Sequence, residues 1–585
     1  VYERPDAGRL ADERYRLRLV VSGDRFTELT HFVKVPEAFE RRFEEMRSKN
    51  SLVAGVSSGV VFVLYGGGAI LGLFLLLRRR WVVWRPALYL AGAIGVLTAG
   101  AFLAQWPLDW MEYDTAVSAA SFAAQRIIYS ILNGLFLGIL ALVAIVAGES
   151  LTRRAFPRHP QLWELWSASG ARSREVLGGT VGAFLLVGVM LAYLTVLYAF
   201  AREHLGWWLP SASLTDPNVV ASLVPWLFPL AISLQAGVVE EVVFRAIPLA
   251  GAVLLGRRVG GQRYWVAGAL LLQAIVFGAV HADYPAQPAW ARMVEIAIPF
   301  VFIGAVYLVF GLLPAIVMHF AFDVVMFSLP LFASSAPGVW LDRALVVILV
   351  LVPLWVVLYA RWRHGPWQDL PDGLRNGGWS PPAAAQETSP SPEASPARPL
   401  LGRRTATGLA VAGVLGLVLW GGFVRFRADA PPVGLTKADA VAASRAALEK
   451  RGVTLDASWK ELPSAAGSVG LADLFVWQEG GPETYRSVIG SHIEAPHWQV
   501  RYARFEGDVV ERAEEYFVHV DAEGRVFRVQ HVLPEGRPGE SLSRDAARDR
   551  AAVAVRSTLD LEPSGLREVS AEPSERPERR DWTFT

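Results

Sequence analysis

Two adjacent carboxylates and an arginine, in Val239-Glu240-Glu241-Val242-Val243-Phe244-Arg245, sit inside a mostly apolar stretch from Val219 to Leu255. An ionised carboxylate at the centre of a bilayer costs at least ~2.5 kcal/mol on insertion scales. Such charges face other helices rather than lipid, and a chain that keeps them uses them. Two further polar interruptions follow in apolar sequence: Phe277-Gly278-Ala279-Val280-His281 and His319-Phe320-Ala321-Phe322-Asp323. The expectation is that these three segments meet in one hydrolytic site within the membrane.

Composition supports a membrane setting. The 585 residues are 53% hydrophobic, and apolar runs near 20 residues recur, the length that crosses ~30 Å of hydrocarbon. A net charge of +1 gives no general argument for nucleic acid as a partner. The absence of cysteine excludes disulfides, thiolate catalysis, iron–sulfur clusters and cysteine-bearing zinc sites. The chain opens at Val1, so a preceding segment is expected, and its first residues do not resemble a secretory signal.

About ten spans are expected, near 52–77, 86–103, 127–147, 180–200, 219–255, 265–281, 294–310, 315–331, 345–359 and 408–423. Basic clusters (Arg78 to Arg80 with Arg85; Arg153, Arg154 and Arg158; Arg257, Arg258 and Arg263; Arg361 and Arg363) fall on one side at nearly every turn. By the positive-inside rule that side is cytoplasmic; Arg425 and Arg427 are the exception. Pro225, Pro229 and Pro248 suggest that the glutamate-bearing span is tilted or broken. The fold class read from this pattern is an all-α polytopic membrane protein with α+β extracytoplasmic soluble domains. It would lie in a bacterial inner membrane with both soluble termini outside.

The division expected is an extracytoplasmic segment at 1–50, N-terminal spans at 51–178, a core at 179–332 and a further span at 333–364. A Pro/Ser-rich cytoplasmic linker at 365–404, a last span at 405–426 and a soluble region at 431–585 complete it. In the last region, Thr436 caps a helix over 438–450, and strands are expected at 498–505, 515–520 and 525–532, followed by a helix from Ser543. Leu435-Thr436-Lys437-Ala438-Asp439-Ala440 is echoed by Leu542-Ser543-Arg544-Asp545-Ala546-Ala547, an internal repeat. Strands at 15–21 and 31–35 and a charged helix at 37–49 are expected near the start. Gly23-Asp24 before Phe32-Val33-Lys34-Val35 echoes Gly507-Asp508 before Phe517-Val518-His519-Val520, so residues 1–49 read as the tail of a further copy, and the chain is expected to be cut at both ends. The helix-then-hairpin pattern resembles PepSY-type extracytoplasmic modules.

On a helix, Glu241 and Arg245 share a face and can pair, while Glu240 points about 100° away. One carboxylate is thereby tied and the other is free to act. His319 and Asp323 also share a face, as do Phe277 and His281. A free carboxylate and a histidine shielded from bulk water can activate a water molecule. A second histidine can stabilise the oxyanion formed when that water attacks an amide.

Glu-Glu-x-x-x-Arg, then Phe-x-x-x-His, then His-x-x-x-Asp, in order and each on a span, resembles the CPBP family of intramembrane proteases. That family includes the CAAX prenyl endopeptidases and bacteriocin-processing and immunity proteins. The likeness covers roughly Thr180 to Phe332, about a quarter of the chain. It implies that Glu240 with His281 activates water, that His319 with Asp323 forms the oxyanion hole, and that Glu241 and Arg245 brace the site. The CAAX endopeptidases of eukaryotes have Asn where this chain has Asp323, and an ionised Asp cannot donate to an oxyanion. It must be protonated, orient His319, or mark lost activity.

The partners expected are the lipid bilayer and a peptide or membrane-protein substrate, with no nucleic acid and no cofactor. Zinc held by Glu240, His281 and His319 is the alternative, although His-Glu-x-x-His is absent. Taken singly, Glu241 with Arg245 could be a structural ion pair, and His281 an interfacial histidine. Two other functions stay open at this level: a non-proteolytic scaffold or immunity protein that binds a partner through its outer domains, and a transporter with buried relay charges. No inverted repeat supports the last.

Overall fold

The apolar runs fold into long helices because a chain surrounded by hydrocarbon must satisfy its own backbone. In the computed structural model the described residues are 2–3, 15–207, 217–284, 288, 290–380, 402–423, 430–467, 470–559 and 562–585. Eight helices among them are long and apolar enough to cross a membrane. They are α1 (Glu37–Arg78), α2 (Arg85–Ala104), α3 (Ala119–Ala155), α4 (Arg174–His204), α6 (Gln262–Val280), α7 (Ala291–Phe310), α8 (Leu312–Ala333) and α10 (Arg403–Phe423). A pair bent by 59°, Trp340–Val350 with Val352–His364 and here α9, makes up to nine. The glutamate-bearing helix, α5, is not among these eight. It comprises Leu227–Glu241, a π-helical turn at Val242–Ala246, and Ile247–Val259.

Three expectations change. The glutamate span begins at Leu227 rather than Val219, after a short 3-10 turn at Pro217–Ala221; Pro229 sits in its first turn, where a missing N–H costs little. The charged helix at 37–49 and the first span form one continuous rod, α1. The start of the supposed linker is packed structure: Leu370 and Asn376 are buried, Gln161 donates to the carbonyls of Gly373 and Arg375, and Arg375 pairs with Glu175. Residues 381–401, the Pro/Ser-rich part of that linker, lie outside the described residues, as do Trp208 and Asp216 of the loop after α4, and Arg425 and Arg427.

Close approaches at glycine set the helix spacing. A Cβ on Gly237 of α5 would lie 2.9 Å from the Phe320 nitrogen of α8, so α5 and α8 touch backbone to backbone just before the glutamates. Gly188 of α4 meets Gly413 and Gly416 of α10 in the same way, the small-residue packing typical of membrane helices. Outward side chains such as Phe62, Val63, Val96 and Phe136 are exposed and apolar, as lipid-facing residues are.

The polar ends segregate. At one end Arg153 stacks on Trp379, Arg154 on Trp81, Arg361 on Trp367, and Arg257 donates to the Ala155 carbonyl. At the other end lie two α/β modules. The first has α11 (Lys437–Lys450), followed by β3 (Trp459–Ala466), β4 (His497–Arg504), β5 (Glu515–Val520) and β6 (Val526–Val532) in one antiparallel sheet in that order. The second has α12 (Arg544–Leu559) and strands β7 (Ala571–Arg576) and β8 (Arg579–Phe584). Its sheet is completed from the far end of the chain by β1 (Tyr15–Ser22) and β2 (Arg25–Val33), in the order β7-β8-β1-β2.

Both modules therefore share a core of one long helix and four antiparallel strands, to which the first adds short helices between β3 and β4, Leu471–Phe475 among them, and the second is assembled from both ends of the sequence. The segment read as the tail of a further copy supplies the third and fourth strands of the copy that starts at Leu542. Trp582 pairs with Val21 and Phe584 with Leu19, and these side chains share a core with Ala547, Ala551 and Val555. The equivalence reaches single bonds: the indole of Trp498 donates to the Leu435 carbonyl at 3.1 Å, and that of Trp582 to the Leu542 carbonyl at 3.0 Å. The equivalence sets β1 and β2 beside β5 and β6, so the Gly23-Asp24 echo was out of register by one strand.

Candidate functional site

The polar cluster lies where α5 meets α8. Glu241 is completely buried and accepts from His319 Nδ1 at 2.7 Å. Its other oxygen is 3.4 Å from Arg245 Nε, whose guanidinium is also completely buried. The π-helical turn widens the helix at Arg245, whose NH1 reaches back to the Glu240 carbonyl at 3.4 Å. Inserted turns of this kind concentrate at functional sites. The guanidinium stacks over Phe300 at 4.1 Å and Phe277 at 4.6 Å, a setting in which ring faces stabilise a desolvated cation.

The second nitrogen of His319 faces two more carboxylates, Asp323 at 3.4 Å and Glu240 at 3.7 Å. Glu240 is the most accessible of the three, its side chain 27% exposed against 16% for Asp323 and none for Glu241. Three carboxylates thus surround one imidazole, and one of them, Glu241, also meets the guanidinium. With Glu241 accepting from Nδ1–H, a hydrogen bond between Nε2 and either remaining carboxylate needs a proton on Nε2 or on that carboxylate.

His281 caps α6 and is partly buried. Its Nδ1–H donates to the Phe277 carbonyl at 2.8 Å, which leaves Nε2 as the acceptor in the neutral ring. Its ring packs on Phe277 at 4.6 Å, and Phe277 in turn stands edge-on to His319 at 6.2 Å. Thus Glu240, Glu241, Arg245, His319 and Asp323 form one contiguous cluster, whereas His281 joins it through Phe277 rather than by a direct bond. Among the described residues no three His, Asp or Glu side chains form a group able to hold a metal ion. The trio considered for zinc, Glu240, His281 and His319, is accordingly not arranged as ligands.

Some site residues were not singled out from the sequence. Phe300 of α7 stacks on Phe277 at 4.0 Å and carries Arg245, but a phenylalanine in an apolar run gives no signal. Tyr284 packs against His281 at 5.5 Å, and the Arg292 guanidinium lies over the Tyr284 ring at 5.0 Å. Asn50 of α1 donates to the carbonyl of Ala282, beside His281; at the edge of a charged segment it read as an ordinary boundary residue.

A bundle of span-length helices that gathers three carboxylates, an arginine and a histidine in its interior is a multi-pass membrane protein with a polar site among its helices. Residues 222–325, which hold all six motif residues, match the family model described as type II CAAX prenyl endopeptidase Rce1-like, so the resemblance to that protease family holds for this part of the chain. Among curated proteins, the chain is similar to the sporulation-killing factor biosynthesis protein SkfC of Bacillus subtilis (strain 168), 22% identical over 223 residues. That match covers 37% of this chain and 40% of SkfC, so the chain spans well under half the length of the curated relative. No solved structure matches.

Proposed function

We propose that the chain is an intramembrane endopeptidase of the CAAX-protease-like kind, hydrolysing a peptide bond of a membrane-associated peptide or protein with a water activated by Glu240. The observation that carries this reading is the convergence of three carboxylates, Glu240, Glu241 and Asp323, from two helices, within 3.7 Å of the His319 imidazole. Glu240 is the carboxylate with room to take a proton from water. His281, with Nε2 free to accept, helps to hold that water. Attack on the amide carbon leaves a tetrahedral oxyanion, to which His319 Nε2–H donates. The proton taken by Glu240 passes to the departing amine, the C–N bond breaks, and the carboxyl and amine products leave.

Of the three roles open to Asp323, orientation of His319 fits the 3.4 Å contact best: it needs no proton on the carboxylate, and Asp323 holds the Nε2–H only in the resting site, giving it up to the oxyanion as that forms. Glu241 holds the opposite nitrogen, and Arg245 between its two rings balances the buried charge. On this reading the arginine-rich end of the bundle faces the cytoplasm of a bacterial inner membrane and the two modules lie outside, where they would present substrate; the clustering of arginine at one end supports that orientation.

The test is cleavage of a membrane-proximal peptide by protein purified in detergent or nanodiscs. Glu240→Gln and His281→Ala are each expected to abolish cleavage while the protein stays folded. Turnover at the wild-type rate in both variants would overturn the mechanism.

A further inference from the structure

Beyond the six motif residues, the corner after α6 depends on a helix from elsewhere in the chain. The helix stops at Val280, and the chain turns through His281 to Tyr284 with single-turn hydrogen bonds (His281 N–H to the Gly278 carbonyl, 3.2 Å; Tyr284 N–H to the His281 carbonyl, 3.3 Å). Carbonyls at a helix end lack helical donors, and buried ones need another partner. Ala282 is completely buried, and its carbonyl accepts from Asn50 Nδ2 at 2.8 Å; Asn50 itself is only 6% exposed.

Two neighbours on the same face of α1 hold the next residue. Ser51 Oγ donates to the Asp283 carboxylate at 2.9 Å, and the Arg47 guanidinium donates to the Asp283 carbonyl at 2.6 Å. The spacing of Arg47, Asn50 and Ser51, i, i+3 and i+4, puts all three on one stripe of the helix. That helix is itself fixed: it follows β2 of the second module, and Phe39 packs edge-on against Phe475 of the first module at 5.2 Å.

We propose that Asn50 is a positioning residue for His281, holding the corner that aims its ring at the site, with Arg47 and Ser51 in support. This rests on the endopeptidase reading for its catalytic consequence, but not for its structural one. No family motif contains Asn50, and it touches no reacting atom; it acts through the Ala282 carbonyl.

The experiment compares wild type, Asn50→Leu, Asn50→Gln and a Ser57→Ala control in the full chain, reading peptide cleavage and backbone amide exchange across 278–284. In Asn50→Leu, kcat is expected to fall on the order of 10- to 100-fold with KM unchanged, as for a misplaced catalytic group. Exchange at 281–284 should quicken roughly fivefold or more. Asn50→Gln, which keeps the amide donor, should recover part of both, and Ser57→Ala, two turns along the same helix, should change neither. Wild-type kcat and exchange in folded Asn50→Leu would overturn the proposal, as would equal effects in the Ser57 control. Should Asn50→Leu fail to fold, Arg47→Gln with Ser51→Ala decides: a smaller change in the same direction supports the proposal, and none in either readout overturns it. If wild type cleaves nothing, the endopeptidase reading falls, while the exchange difference still decides whether Asn50 holds the corner.

Discussion

The two histidines of the site are held by opposite means. His319 lies on α8, whose most apolar stretch is 72% buried, and three carboxylates from two helices surround its ring. His281 lies at the end of α6, where the corresponding stretch is 33% buried, and hydrogen bonds to backbone carbonyls hold both its ring and its corner. The first is fixed by charge, so its removal strands charged partners; the second is fixed by geometry, so its removal strands nothing charged. The expectation is that folding depends on the first and can spare the second.

The sharpest way to break this comparison is His319→Ala. It should cost about 3–5 kcal/mol, because it leaves Glu241 buried with one partner fewer. Thermal unfolding in detergent reads this, and a loss below about 1 kcal/mol would show that the charges do not hold the helix pair. Next is the seam itself. Gly237→Val drives a side chain into the Phe320 backbone and should cost about 1–3 kcal/mol, with loss of cleavage as the Glu241–His319 bond stretches.

A third case widens the comparison beyond the helices. In the first module His519 is buried against Arg528 and His497, surroundings that hold no carboxylate against its ring in the described contacts. Burial first, and then the charges of Arg528 and His497, push its pKa down to about 2. The folded state therefore resists a proton that the unfolded chain takes up below about 6.5. This contribution to stability is complete above pH 6.5 and is lost as pH falls, at about 1.4 kcal/mol per unit. Amide exchange of residues 497–520 at pH 7 and pH 5.5 should show it, and His519→Phe should flatten the slope. Smallest is His281→Ala, expected to abolish cleavage yet to cost only about 1 kcal/mol, the loss of one neutral hydrogen bond and partial ring packing. A larger loss would place His281 in the same structural class as His319.

Much of this was legible in one dimension. Glu240, Glu241 and Arg245 announce themselves because charge is expensive in apolar sequence, and His319 with Asp323 for the same reason; helical spacing alone pairs Glu241 with Arg245. Phe300 and Asn50 stayed hidden because a phenylalanine in an apolar run and an asparagine at a charged boundary are each the unremarked choice. The repeat at Leu435 and Leu542 was visible from its capping pattern. That residues 15–33 complete its second copy was not, because strand pairing across more than five hundred residues leaves no local signal.

The sequence by itself determined that the chain is rich in helices long and apolar enough to cross a membrane, which charged residues and histidines interrupt them, and the face each takes on its own helix, since these follow from hydropathy and helical period. Only the tertiary structure decided which groups meet. Glycine contacts bring α5 and α8 together, so that Glu241 binds His319 as well as Arg245, and α1 reaches the corner beside His281. Those encounters depend on the approach of backbones distant in sequence, and no periodicity within one helix records the partner it will touch.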